Sequence, residues 1–147
     1  MNINWYPGHM KKTKDLILEN LKIIDLVIEI LDARIPVSSK NPDISHLAKS
    51  KKKITVLNKV DLIDSKELKK WEDYFLKNRV SDYFVALSVE KGTNFNELRK
   101  ITDSIYDEKM EKMKKKGLRK TEIRAMIVGI PNVGKSTLFN CLSNAKA

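Results

Sequence analysis

Cysteine is nearly absent from this 147-residue chain, where Cys141 stands alone. One thiol excludes an internal disulfide framework and any cysteine-built zinc cluster, and it suits a reducing compartment. Long apolar runs are missing as well. None approaches the roughly 20 residues that span a bilayer. The N-terminus, Met1-Asn2-Ile3-Asn4-Trp5-Tyr6-Pro7-Gly8, lacks the charged-then-apolar form of a secretory signal. A cytoplasmic chain with no membrane partner is expected. Neither an internal repeat nor a Gly/Ser linker is visible, and glycine occurs only five times. Acidic residues are in deficit: 19 Asp and Glu stand against 29 Lys and Arg, a net charge of +10. Such an excess attracts polyanions over a Debye length and makes their binding salt-dependent, so RNA is the natural candidate partner. A lysine-rich surface that merely solvates the protein remains the alternative. Two basic runs stand out, Lys49-Ser50-Lys51-Lys52-Lys53 and the stretch with Lys112, Lys114, Lys115, Lys116, Arg119 and Lys120.

What is present is a set of short apolar runs separated by helical patterns. Leu26 to Leu31, Ile54 to Leu57, Tyr83 to Leu87 and Ala125 to Val128 are continuous rather than alternating in hydrophobicity. Continuous runs of that length mark strands covered on both faces, hence a mostly parallel sheet of four strands in an α/β fold. Helix-start chemistry lies between them. Asn41 precedes Pro42, while Asp64 with Glu67 and Asn94 with Glu97 have the spacing of capping boxes. Ile17, Leu21 and Ile24 share one helical stripe, which predicts an amphipathic helix over roughly His9 to Lys22. A second helix is expected from Asn94 to about Met113, fraying at Lys114 to Gly117.

Two motifs carry chemistry. Gly129-Ile130-Pro131-Asn132-Val133-Gly134-Lys135-Ser136 fits G-x-x-x-x-G-K-[ST]. In such a turn the backbone N–H groups surround phosphates, a lysine reaches the outer phosphates, and a hydroxyl meets magnesium. Asn132, Val133, Gly134, Lys135, Ser136 and Thr137 are the candidate phosphate-binding residues, and Ser136 is the candidate magnesium ligand. Asn132 either helps to coordinate a monovalent cation or caps the turn. The other motif, Asn58-Lys59-Val60-Asp61, follows the second strand directly. Guanine presents a ring N–H and an exocyclic amine side by side, and the Asp61 carboxylate, an acceptor only, can take both. Lys59 would lay its stem along the ring and Asn58 would brace the loop. Ser88 and Val89, after the third strand, would offer a backbone N–H to the guanine carbonyl. In an open parallel sheet, ligands sit beyond the carboxyl ends of the strands, where all three segments stand.

In this order, base-reading motif before phosphate loop, the chain resembles the YlqF/RbgA family of circularly permuted GTPases. Trp5 to Met10 and Asp32-Ala33-Arg34-Ile35-Pro36 resemble further signatures of that family. The resemblance implies a three-layer P-loop GTPase fold and binding of GTP or GDP with Mg2+ and possible K+ dependence. It also implies action on the large ribosomal subunit precursor and its rRNA. By the same resemblance His9 is a candidate for positioning water and Asn132 for binding potassium; from the residues alone, His9 reads as a helix N-terminal residue and His46 as a surface histidine. The expected segments are an N-terminal extension and helix (1–24), a base-reading half (25–93), a connecting helix and basic linker (94–120), and the phosphate loop with its helix (121–147). No D-x-x-G occurs: the residues three before each glycine are Trp5, Val89, Lys114, Met126 and Pro131. A truncated G domain is therefore expected, with the apolar Ala125 to Val128 strand an open edge prone to self-association. Two competing readings are a basic RNA-binding fragment without turnover and a P-loop ATPase in which N-K-V-D is coincidental.

Overall fold

A computed structural model of the chain describes residues 2–5, 19, 23–34, 36, 51–78, 80–89, 91, 92, 94–118 and 123–129. Their elements are β1 (Asn2–Trp5), β2 (Leu26–Asp32), β3 (Lys52–Asn58), a 3₁₀ turn (Val60–Leu62), α1 (Ser65–Lys77), β4 (Tyr83–Ala86), α2 (Phe95–Lys115) and β5 (Arg124–Val128). The five strands form one sheet in the order β1-β5-β2-β3-β4, and every neighbouring pair is parallel.

Alternate residues of β2, β3 and β4 meet different helices, which makes three layers. Ile28, Ile30, Ile54, Val56 and Val85 pack with Leu98 and Ile105 of α2. Their sequence neighbours Leu31, Leu57 and Phe84 face the other way, onto Phe75 of α1, whose ring stacks on that of Phe84 at 5.9 Å between centroids. Burial on both faces is why the runs carry no polar alternation. The architecture is the α/β fold with a mostly parallel sheet that the apolar runs imply.

Among the described residues the sheet has five strands rather than the four expected. Residues 2–5 run alongside β5, with Ile3 level with Ala125 and Trp5 with Ile127. The edge expected to lie open on β5 is therefore covered, and self-association through it loses its basis. Nothing in Asn-Ile-Asn-Trp signals a strand, because a four-residue edge needs only a neighbour with unpaired backbone groups.

Capping is partly as expected. Asp64 Oδ1 accepts the Glu67 N–H at 2.8 Å, which starts α1, but the Glu67 carboxylate turns forward to Trp71 Nε1 at 3.2 Å instead of back to the cap. Asn94 forms no capping box. It adopts a left-handed conformation (φ 64) and its side-chain amide donates to the Ala86 carbonyl at 2.8 Å, fastening the start of α2 to the end of β4. At the other end Gly117 (φ 70) closes α2: Gly117 N–H bonds the Lys114 carbonyl at 3.0 Å and Leu118 N–H the Met113 carbonyl at 2.9 Å. That Schellman pair stops the helix where only glycine takes the backbone without strain. Over its 21 residues, about 31 Å, α2 carries the chain from the carboxyl rim back to the start of β5. The helices expected at His9 to Lys22, apart from Glu19, which is helical, and at Asn41 lie outside the described residues.

Candidate nucleotide-binding rim

The carboxyl ends of β2, β3 and β4 lie side by side, with Asp32 level with Asn58 and Leu57 with Ala86. β5 stops lower: Val128 is level with Glu29, and β2 continues through Ile30, Leu31 and Asp32. The rim therefore steps down where Gly129 opens the glycine-rich segment.

Asn58 ends β3 almost fully buried, at 3% exposure. Its carbonyl accepts Ala33 N–H at 2.8 Å, and its side-chain Oδ1 accepts Val89 N–H at 2.9 Å. One residue thus ties the ends of β2 and β3 to the loop after β4. A guanine carbonyl would have to share or take over the Val89 donor that Asn58 holds. Ser88, also buried, accepts Lys91 N–H on its Oγ at 3.3 Å, and Gly92 N–H closes the same turn on the Val89 carbonyl at 3.3 Å.

Beyond Asn58 the chain reverses. Lys59 is left-handed (φ 67), a conformation costly for a side chain with a Cβ, and it begins the 3₁₀ turn that Leu62 N–H closes on the Lys59 carbonyl at 2.9 Å. Val60 N–H reaches the Leu87 carbonyl at 3.4 Å. The reversal sends the Lys59 ammonium back to Asp32 Oδ2 at 3.2 Å and sets Asp61 in the first turn of the 3₁₀ segment. Asp61 stays partly solvated, 3.8 Å from the exposed Lys91 ammonium. A pair that long and exposed holds little energy, so it yields readily to better donors.

Asp32 and Arg34, which the sequence marked only as part of a family-like signature with no role assigned, also stand at the rim. Arg34 grips the Asp32 carboxylate with Nε at 3.0 Å and a terminal guanidinium nitrogen at 2.7 Å, and its backbone N–H adds a third bond at 2.9 Å. The Arg34 bonds, joined by Lys59 and outweighing the opposing effect of burial, hold the Asp32 carboxyl well below the usual carboxylate range. The available signal was an acidic residue ending an apolar run with arginine two positions on.

The structure brings together Asn58, Lys59, Asp61, Ser88 and Val89. His9, Asn132, Val133, Gly134, Lys135, Ser136, Thr137 and His46 lie outside the described residues. Among the described residues no cluster of His, Cys, Asp and Glu is suited to a metal ion, and no helix is long and apolar enough to cross a membrane.

Comparison with known proteins agrees with this layout. A family model described as 50S ribosome-binding GTPase matches residues 124–147. Ribosome biogenesis GTPase A of Bacillus licheniformis is 46% identical over 143 residues, covering 97% of this chain and 50% of that protein. The protein of the same name in Thermotoga maritima is 35% identical over 147 residues (99% of this chain, 47% of that one). Mitochondrial GTPase 1 of Aedes aegypti is 34% identical over 143 residues (97% and 45%). The chain spans about half the length of the curated relatives it matches. Among solved structures, YjeQ from Thermotoga maritima superposes with a TM-score of 0.54 at 20% identity, over 81% of this chain and 38% of that one, a likeness of fold alone. With the Asn58 to Asp61 motif ahead of the glycine-rich segment, the chain is similar along almost its entire length, and about half of theirs, to proteins named ribosome biogenesis GTPase A, the YlqF/RbgA family of circularly permuted GTPases that its motifs resemble.

Proposed function

We propose that this chain supplies the base-reading and phosphate-loop half of a GTPase that assists assembly of the large ribosomal subunit in the cytoplasm. The observation that carries the reading is Asp61, an acceptor-only carboxylate held at the sheet rim by the 3₁₀ turn, facing a loop that Asn58 pins. It meets the two adjacent donors of guanine, which adenine lacks. Each charge-assisted bond is worth about 1.5–3 kcal/mol, enough to exclude ATP by roughly a hundredfold or more.

The remaining roles follow the motif. Backbone N–H groups of Asn132 to Thr137 would surround the phosphates, Lys135 would neutralise them, and Ser136 would offer its hydroxyl to magnesium. Asn132 would serve a potassium ion and His9 the attacking water. Competition decides the base assignment. GTP should displace labelled GDP at least about a hundredfold better than ATP, and Asp61→Asn should abolish that margin. Equal displacement by ATP would leave a P-loop ATPase.

A second observation supports an RNA partner. Among the described residues, Lys52 of one lysine run and α2's last turn from the other lie at the amino-terminal pole of the sheet, opposite the rim: Lys52 Nζ lies 3.5 Å from Glu108 of α2, whose last turn carries Lys112, Lys114 and Lys115. Ribosomal RNA bound there would leave the nucleotide cleft open. Salt-dependent RNA binding that ignores nucleotide would favour the RNA-only reading instead.

A further inference from the structure

The geometry points to Asp32 and Arg34 as positioning residues for the base-reading lysine. Arg34 immobilises the Asp32 carboxylate, and Asp32 draws the Lys59 ammonium over the end of β2, so that the lysine stem is held as a wall of the base cleft. This inference rests on the guanine-nucleotide reading of Asn58 to Asp61.

Lys59 has an unusual need for an anchor. A lysine side chain loses about 2 kcal/mol of rotamer entropy when fixed, and this one also sits on a left-handed residue. Such a conformation persists only where neighbours over-determine it. The neighbours here are the Leu62 N–H on the Lys59 carbonyl and Asp32 Oδ2 on the ammonium at 3.2 Å.

Asp32 is itself fully committed. Oδ1 accepts the Arg34 backbone N–H and Nε, and Oδ2 accepts the Arg34 terminal nitrogen and Lys59. Arg34 reaches in from a side chain 52% exposed to a carboxylate that is buried. A planar fork spanning both oxygens leaves Asp32 one orientation, which lysine at position 34 could not impose. The carboxyl stays ionised far into acid, so the clasp holds at any physiological pH. Asp32 acts through Lys59 and touches no base atom; discrimination between guanine and adenine stays with Asp61.

The test is a double-mutant cycle on the Kd of fluorescently labelled GDP, measured on the intact protein. Asp32→Asn turns an amide N–H toward two cations and should raise Kd about three- to fivefold, as expected for a partly exposed ion pair. Lys59→Met should have a similar effect, and the double variant should be no weaker than Lys59→Met alone. The preference for GDP over ADP should be unchanged in Asp32→Asn. Arg34→Lys, a surface change that leaves the core intact, should lower affinity in the same direction by about two- to threefold. An Asp32→Asn Kd within about twofold of the parent, or a loss undiminished in the Lys59→Met background, overturns the positioning role. Failure of the unsubstituted protein to bind GDP overturns the guanine reading and takes this inference with it.

Discussion

Replacing Asn58 by alanine tests the rim at the point where three strand ends are tied. The side chain is buried and its Oδ1 is the acceptor for Val89 N–H at 2.9 Å, a role no methyl group can take. A made hydrogen bond contributes about 0.5–1.5 kcal/mol net, and stranding a part-buried N–H costs about 1–3 kcal/mol. The backbone bond from Ala33 to the Asn58 carbonyl survives the substitution, so the pairing of β2 with β3 stays intact. A loss of about 1.5 kcal/mol is therefore expected. With a urea dependence of about 2 kcal/mol per molar for a domain of this size, the unfolding midpoint should fall by about 0.7 M with unchanged slope. Freed from β3, the loop carrying Ser88 and Val89 should lose its register with Asp61, and labelled GDP should bind at least about tenfold more weakly. Urea titration followed by far-ultraviolet circular dichroism, beside a GDP titration, measures both. A midpoint within about 0.2 M of the parent together with unchanged GDP affinity would refute the bracing role.

Three further outcomes are expected. Glu29, 1% exposed in the middle of β2, sits 2.8 Å from the buried Lys53 ammonium. Glu29→Met or Lys53→Met alone should each destabilise by about 3 kcal/mol by stranding a charge, while the double variant should recover most of that loss in urea unfolding. Asp32 has a folded-state carboxyl far below its unfolded value of about 3.9. Its contribution is therefore fully present above that unfolded value and fades as pH falls below it; the parent should lose stability relative to Asp32→Asn below about pH 4 in acid titrations, and a constant difference down to about pH 2 would contradict this. Deleting residues 1–5 removes β1 and uncovers the apolar edge of β5. Sedimentation should then show concentration-dependent association that the parent lacks.

The chain by itself determined the layers and the order of the motifs. Four continuous apolar runs suffice to specify buried parallel strands, because a strand covered on both faces has no solvent face to encode. Asn58 to Asp61 directly follows such a run, which is enough to put it at the end of β3, and Gly129 directly follows β5. Only the folded arrangement decided who meets whom. Glu29 and Lys53 lie on neighbouring strands and pair across them, and no local pattern announces a partner 24 positions away. Asn94 has the spacing of a capping residue, but its left-handed backbone is not that of a cap; its side chain accepts no helix N–H and instead donates its amide to the Ala86 carbonyl. Asn2 to Trp5 becomes a strand only because β5 offers an unpaired edge. Asp32 and Lys59 are 27 positions apart, yet the parallel register sets Asp32 level with Asn58 and the left-handed turn at Lys59 folds its side chain back. Hydrophobic periodicity is a local property and survives in the sequence; hydrogen bonds and ion pairs between strands depend on register, which exists only once the sheet has formed.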